Sequence, residues 1–405
     1  MRTFNNIKRF FNRYTFAGII ILAIVLYSCV DEYNPIVSSD TNFLSIDASL
    51  IKGVDTQKVV ITKSVNINEN EAYPPYVGGC IVNVEDEFGN IQSFTEVKTI
   101  LKREEADDIT IIEYKAVIGD DFLVLNRKYR INVQTSDGKV YQSDWETIFD
   151  CPPVDSIYTR KEEMYSYDAG LNLNALQFYI DLKASANDTK FYRWSIDETW
   201  EYIVPYSIGG FWDYDTLIFY DGLVTDSLKT CYNSGKVSGY FSSNTLNLTE
   251  NEKKMIPLNY LFEGSPKVSS RYSILVSQYS LSEKAYSFWQ QKQVELQESG
   301  GLYTSQPGQI ISNFRNVNDA SETVVGYFWA STRKQKRAFY NKSFGTGDVF
   351  TCPKDTFHID QEYPNDLIYY YMNATFGDTV YITSYEGCFD CTNRGGHTTP
   401  PEFWQ

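Results

Sequence analysis

The sequence predicts a mainly β fold made of two immunoglobulin-like antiparallel β-sandwich domains, the second with short helical insertions. Tyrosine and phenylalanine are abundant, with 32 and 25 residues against 4 methionines, and aromatic residues favour strands. Several segments alternate apolar and polar residues at the two-residue period of a strand with one buried face. Turn sequences containing glycine and asparagine separate these segments, which indicates consecutive hairpins and antiparallel pairing.

The first predicted sandwich covers residues 42–150. Its strands are predicted at residues 43–50, 59–67, 80–84 and 110–118. The turn sequences Glu-Phe-Gly-Asn at 87–90 and Ser-Asp-Gly-Lys at 136–139 predict hairpins, because glycine and asparagine tolerate a positive φ. Residues 125–133 resemble the Tyr-x-Ile-x-Val strand of an immunoglobulin-like sandwich, in which the tyrosine, here Tyr129, bonds back to an upstream loop.

The second predicted sandwich covers residues 151–405. It begins at Cys151-Pro152-Pro153, since proline offers no backbone donor for strand pairing. Alternating patterns predict strands at 175–184 and 191–202, joined by a polar turn at 185–188.

Two helices are predicted within this second domain. Residues 249–252 have the form of a capping box, and Pro257 would end a short helix there. A longer helix is predicted to follow Ser282 as its N-cap and to stop at Gly300. Its apolar stripe, which includes Trp289, is more typical of core packing than of a ligand site.

Residues 1–28 predict a lipoprotein signal peptide. A basic segment precedes an apolar run at 16–26 that is too short to span a bilayer, and the run leads into the box Leu-Tyr-Ser-Cys ending at Cys29. Cleavage before Cys29 and its acylation, for example with palmitate, would leave residues 29–41 as an acylated tether. An uncleaved N-terminal helix is the alternative.

Asp31 and Glu32 directly follow this cysteine and resemble the surface-export signal of outer-membrane lipoproteins in the Bacteroidota. The resemblance implies a protein that is lipid-anchored in the outer membrane and faces the cell exterior; alternatively, both acids only solvate the linker. Removing residues 1–28 takes away four basic residues and no acid, so the formal net charge falls from −16 to −20. Nucleic acid and anionic membrane surfaces are therefore poor partners.

The cysteine count favours disulfides. Lipidation of Cys29 leaves six cysteines, and an even number outside the cytoplasm is typical of paired thiols. We expect a link that closes the C-terminal region, either Cys388 with Cys391 or one of them with Cys352. The alternative is a zinc site made by these three cysteines and His397.

Two further features lie toward the C-terminus. The run at 333–337 is the one strong basic patch; a solvated hairpin is expected, and docking of an acidic receptor loop or a lipid headgroup is the alternative. Gly395-Gly396 allows a tight turn, and Phe403 and Trp404 can bury a large aromatic area, which predicts a structural latch.

Several segments together resemble an uncharacterised domain-of-unknown-function family of Bacteroidota outer-membrane lipoproteins. They are CFDCTNRGG at 388–396, PVDSIY at 153–158, IDETWE at 196–201 and VGYF at 325–328. Members of that family are typically encoded beside TonB-dependent receptors, which implies an accessory role at a nutrient-import complex. The resemblance supplies no catalytic residues.

The residues themselves give catalysis little support. The chain has only two histidines and no Gly-flanked nucleophile elbow, so we expect no enzyme, cofactor or catalytic metal. Phe211, Trp212 and Tyr214 are ligand-binding candidates because their rings could stack on sugars or hold peptide side chains, although strand core is the alternative.

We therefore expect a non-enzymatic cell-surface lipoprotein that is an accessory or ligand-capturing partner of a TonB-dependent outer-membrane transporter. A free-standing glycan- or peptide-binding adhesin is the alternative function.

Overall fold

The computed structural model describes residues 43–64, 74–103, 108–208, 210–213, 216–219, 226–298, 312–341, 344, 350–357, 369–375 and 378–404. All of them belong to one compact unit, which comprises residues 43–65 and 70–405. The predicted signal peptide and the whole tether at 29–41, including Cys29, lie outside the described residues. No helix in the described part of the chain is both long and apolar enough to cross a membrane.

Strands dominate the chain before residue 150 and are joined mainly by hairpins. They are β1 (Leu44–Lys52), β2 (Thr56–Lys63), β3 (Ile81–Asp86), β4 (Ile91–Leu101), β5 (Ile109–Val117), β6 (Lys128–Gln134), β7 (Val140–Ser143) and β8 (Glu146–Thr147). Both predicted turns are confirmed, with Gly89 and Gly138 at φ values of 85° and 86°.

Strands also dominate the remainder of the chain. They are β9 (Ile157–Ser166), β10 (Leu171–Lys183), β11 (Phe191–Ile203), β12 (Gly210–Asp213), β13 (Thr216–Phe219), β14 (Thr230–Lys236), β15 (Phe241–Asn244), β16 (Glu252–Phe262), β17 (Tyr272–Leu281), β18 (Phe314–Asn316), β19 (Val324–Val325), β20 (Phe328–Tyr340), β21 (Asp355–Phe357), β22 (Tyr369–Thr375) and β23 (Asp378–Thr383). Helix α1 spans Glu283–Glu298, and short 3-10 turns lie at Pro266–Val268, Glu386–Cys388 and Cys391–Arg394.

One long sheet joins the two halves of the chain. Its strand order is β14-β11-β17-β20-β1-β2-β5-β4-β3-β6-β7-β18, and smaller sheets have the orders β16-β10-β9 and β13-β12-β22-β23-β21. Two links join the halves within the described residues: a parallel one, in which Ala48 of β1 pairs with Phe328 of β20, and an antiparallel one between β7 and β18. The mainly β prediction is confirmed, whereas the division into two immunoglobulin-like sandwiches stays a prediction.

Two apolar clusters form the main cores. The first combines side chains of β1 to β8 with Phe314, Val324, Phe328 and Ala330, and the second lies between β10, β11, β16 and β17. Within the first core the predicted tyrosine bond is confirmed. The Tyr129 hydroxyl donates to Phe122 O at 2.6 Å and accepts from Val124 N at 2.7 Å.

The long sheet presents its second face to two covering segments. Because side chains alternate along strands, Ile46 and Leu50 of β1 enter the first core, while Asp47 points to the opposite side. Strand register places Trp329 of β20, Tyr279 of β17 and Arg193 of β11 on that same side. We call this side the outer face.

The prediction of a short helix after residues 249–252 is wrong, because the chain forms strand β16 there. The Asn251 side chain donates to Ser185 O at 2.9 Å and to Thr189 O at 3.0 Å, which fixes the turn before the strand. The next residues then pair with β10, for example Ile256 with Ile180. Tertiary pairing thus overrides the local capping pattern.

The longer helix is confirmed. Ser282 caps it, since Ala285 N donates to Ser282 Oγ at 3.1 Å, and Tyr286 N donates to Ser282 O at 2.9 Å. The basic run at 333–337 is not a solvated hairpin, because it forms the middle of β20 and pairs with β17.

The C-terminal tail wraps around β14, an edge strand of the long sheet. His397 and Tyr232 exchange backbone hydrogen bonds of 2.8 and 3.0 Å, which occupies exposed edge groups of β14. Gly396 lies so close to the sheet that a Cβ there would be 2.4 Å from Tyr202 Oη and 2.9 Å from Cys231 Cβ. Only glycine fits this approach without displacing its neighbours.

The tail then ends on the outer face, as the predicted latch requires. Trp404 is buried, its Nε1 donates to Glu201 Oε2 at 3.3 Å, and its ring packs edge-on against Phe339. Phe403 is more exposed, and the Arg337 guanidinium carbon lies 3.5 Å from its ring centroid.

Candidate functional site

Helix α1 covers part of the outer face through aromatic side chains. Phe288 stacks on Tyr327 with ring centroids 4.7 Å apart, and Trp289 packs edge-on against Trp329 at 5.8 Å. The helix therefore builds a roof over the sheet, and two concave sites open beside it.

The roof and the sheet enclose the guanidinium group of Arg193. Its central carbon lies 3.7 Å from the Trp289 ring centroid, 5.2 Å from Trp329 and 5.7 Å from Tyr279. Within the described part of the chain, Arg193 Nε and Trp289 Nε1 are buried and donate no hydrogen bond. Desolvation lowers the pKa of Arg193 to about 10, while the charges of Tyr279 and Asp47 oppose that change, so the group stays cationic near neutral pH.

A glycine positions the aromatic residues that face the helix. Gly326 has φ 105°, and a Cβ there would lie 2.0 Å from Ile46 O of the adjacent strand β1. This close approach makes the bend between β19 and β20 possible, and the bend brings Tyr327 beneath Phe288.

Tyr327 also reaches a buried acid beside the start of the helix. Its hydroxyl donates to Glu146 Oε1 at 3.0 Å, while Glu146 Oε2 is buried without a hydrogen-bond partner in the described residues. Burial raises the pKa of Glu146 to about 7, although Ser282, Tyr327 and Lys284 favour the ionised form. A titratable group, Glu146, therefore lies beside the N-terminus of helix α1.

The first concave site, the helix recess, has a volume of about 240 Å³. It is lined by Ser45, Asp47, Tyr240, Phe288, Trp289, Lys292, Val325, Gly326 and Tyr327. Asp47 is reachable by water, yet the surrounding walls desolvate it and raise its pKa, against the positive charges of Arg193 and Lys58. The recess thus combines aromatic walls with one acid and one base.

The second concave site, the strand groove, has a volume of about 540 Å³. It is lined by Met164, Gln177, Val237, Ser238, Gly239, Tyr240, Phe241, Pro257, Leu258, Asn259, Tyr260, Gln293 and Leu296. Tyr240 lines both sites and separates them. The size and aromatic walls of the groove are typical of small-molecule sites, which occupy about 300–1,000 Å³.

The cysteines of the C-terminal region form two disulfides. Cys352 is bonded to Cys388, and Cys391 is bonded to Cys231 of β14. Neither the pair Cys388–Cys391 nor a thiolate zinc site is present, since all three cysteines are already bonded. Sequence reasoning did not assign Cys231, because its partner lies 160 residues away along the chain.

The structure describes only two of the other predicted site residues. Phe211 and Trp212 lie in β12, which pairs with β13 and β22, while Tyr214 and Cys29 lie outside the described residues.

Sequence reasoning missed the residues that build the two concave sites. The alternating pattern of 191–202 places Arg193 opposite the apolar core positions, which was the available signal for a charged residue on the outer face. Trp289 was found as part of the apolar stripe of α1, but its role as a wall depends on Arg193 and Tyr240, which are distant in sequence.

Comparison with known proteins gives one family. The family model described as Domain of unknown function (DUF4249) matches residues 30–337, a range that contains every residue lining the two concave sites and ends within β20. No curated protein matches the chain.

Proposed function

Because the chain belongs to the family of the Domain of unknown function (DUF4249), we propose that it is a cell-surface lipoprotein that captures a ligand for a TonB-dependent outer-membrane transporter. The observation that carries the proposal is the pair of open concave sites on either side of Tyr240. Aromatic walls with a few convergent polar groups are typical of sites that hold small ligands.

The location in this proposal follows from the N-terminal sequence. Acylation of Cys29 would anchor the protein in the outer membrane, and Asp31 and Glu32 support export to the cell surface in a member of the Bacteroidota. The transporter partner is supported by the resemblance of the chain to lipoproteins encoded beside such receptors.

The architecture in this proposal is a pair of immunoglobulin-like sandwiches. The support is the hydrogen-bonded Tyr129 corner in the first core and the separate apolar cluster of the second half.

The protein in this proposal binds its ligand without converting it. The support is the scarcity of histidine in the sequence and the lack of a Gly-flanked nucleophile motif.

Affinity purification of the tagged full-length protein from detergent-solubilised outer membranes tests the partnership. We expect a large β-barrel protein to co-purify in a fixed ratio. The matched control is Cys29→Ala, which removes the acylated residue and should abolish co-purification from the membrane fraction. Repeated recovery of the acylated protein alone would contradict the proposal.

The same preparation distinguishes the proposed function from the alternative one. A free-standing glycan- or peptide-binding adhesin would bind its ligand with full affinity and would recover no barrel protein.

A further inference from the structure

The strand groove differs from its surroundings because its described lining contains no aspartate, glutamate, lysine, arginine or histidine. Charged residues make up 22% of the chain, and the helix recess on the other side of Tyr240 contains Asp47 and Lys292. A groove without formal charge gives no electrostatic advantage to an ionic ligand, since desolvating that ligand would go uncompensated.

The buried side chain of Asn259 supports the floor of the groove. Asn259 is only 7% exposed, and its Oδ1 has no hydrogen-bond partner among the described residues. Its amide nitrogen donates to the Tyr272 hydroxyl at 3.2 Å, and that hydroxyl donates to Glu198 Oε2 at 2.9 Å. Because the Glu198 carboxylate is ion-paired with Lys267 and can only accept, this chain of bonds fixes which Asn259 atom is the oxygen.

Neighbouring carboxamides hold the rest of the floor. Gln177 Nε2 donates to Leu258 O at 3.1 Å and to Asn259 O at 3.2 Å, which keeps that backbone in place. Gln293 Oε1 accepts from Ser242 N at 3.0 Å and thereby ties helix α1 to strand β15 beside the groove.

The rim offers flat aromatic surfaces. Tyr260 is 42% exposed and packs edge-on against Phe262 with centroids 5.2 Å apart, so one face of its ring is held in a fixed direction. Tyr240 and Phe241 add two half-buried rings. Such rings can pack against the apolar C–H face of a sugar.

Two other ligand classes fit less well. A wholly apolar ligand would cover the hydroxyl group of the exposed lining residue Ser238 without bonding to it, which costs free energy. An extended peptide could add to the edge of β16, but Pro257 lies in that strand beside the groove and removes a backbone donor from the edge.

We propose that the strand groove binds a neutral carbohydrate. Its C–H face stacks on Tyr260, and its hydroxyl groups form hydrogen bonds with exposed polar side chains of the lining such as Ser238. This inference rests on the proposed function and names the class of ligand that the protein captures.

The test is titration calorimetry of the full-length lipoprotein in a detergent without sugar headgroups. Its probes are neutral oligosaccharides, the same backbones bearing uronic acids, and short peptides. We expect binding of a neutral oligosaccharide with an affinity that changes less than twofold between 50 and 500 mM salt, about the range over which exposed charges become screened.

Two variants place the ligand in the groove. Tyr260→Ala should weaken binding at least about tenfold, because it removes the exposed stacking face. Its control, Tyr167→Ala, removes a ring that is 84% exposed and does not line the groove, and should bind like the wild type. Ser238→Trp adds bulk at an exposed lining position without removing packing and should also abolish binding.

Binding only to charged glycans or peptides, no binding to any neutral oligosaccharide, or wild-type affinity in both groove variants would each overturn the inference. Co-purification of a barrel without sugar binding would refute this inference and leave the transporter partnership standing. Sugar binding without co-purification of a barrel protein would support this inference and refute the transporter partnership.

Discussion

Helix α1 and the C-terminal tail cover the same outer face of the long sheet, but different interactions hold them there. Along β11, the helix covers the region of Arg193, and the tail reaches Glu201 eight residues further on. The helix is held by packing around a desolvated cation and a buried acid, whereas the tail is held by two disulfides and by Trp404.

The difference indicates which cover can respond to its surroundings. Buried ionisable groups make the helix sensitive to pH and to a ligand in the adjoining sites. A disulfide acts chiefly on the unfolded chain and gives the tail a stability that pH hardly changes. The helix, which borders both concave sites, is therefore the adjustable cover.

The largest effect is expected from removing the longer covalent link. Replacing both Cys231 and Cys391 with Ser should lower the free energy of unfolding by about 5 kcal/mol, because the link spans 160 residues. The matched control replaces Cys352 and Cys388, whose link spans 36 residues and should cost about 1 kcal/mol less. Urea unfolding measures both, and a larger loss in the control would contradict the expectation.

The next effect concerns the roof of the helix recess. Trp289→Ala should lower the free energy of unfolding by about 4 kcal/mol, since it removes a buried ring together with its cation–π contact to Arg193. Trp145→Ala is the control, because that ring is 39% exposed and contacts Arg130 at the surface. Hydrogen exchange should show lost protection in α1 but not in the tail; equal loss in both covers would refute the comparison.

A pH effect of up to about 3 kcal/mol is expected from Glu146. Its pKa is raised by burial to about 7 in the folded protein from 4.5, so the neutral form is favoured by folding. This stabilisation is complete below 4.5 and is lost as the pH rises through about 7. Unfolding measured from pH 4.5 to 8.5 should show the loss in the wild type and not in Glu146→Gln, and identical pH profiles would exclude Glu146 as the cause.

The smallest effect tests the bend that presents Tyr327 to the helix. Gly326→Ala should be about 2 kcal/mol more destabilising than Gly89→Ala, because both glycines have positive φ but only Gly326 lies against a neighbouring backbone. Thermal or urea unfolding of the two variants gives the difference directly. Equal destabilisation would mean that the close approach to Ile46 relaxes freely.

Prediction from sequence succeeded where one local pattern was sufficient. The strands β1, β5 and β11 and the helix after Ser282 follow from periodicity and capping, and all are confirmed. Strand β4 was missed because most of its residues are exposed and no apolar alternation marks it. The helix predicted from the capping box at 249–252 does not form, because the Asn251 side chain donates to the distant backbone oxygen of Ser185.

The mainly β class, the long helix and the Tyr129 corner could be predicted from the sequence, because each follows from a pattern of residues close together in the chain. The pairing of β1 with β20, the bond between Cys391 and Cys231, and the uncharged groove beside Tyr240 emerge only in the folded chain. These features join residues far apart in sequence, and their free energy comes from packing and desolvation that no local pattern records.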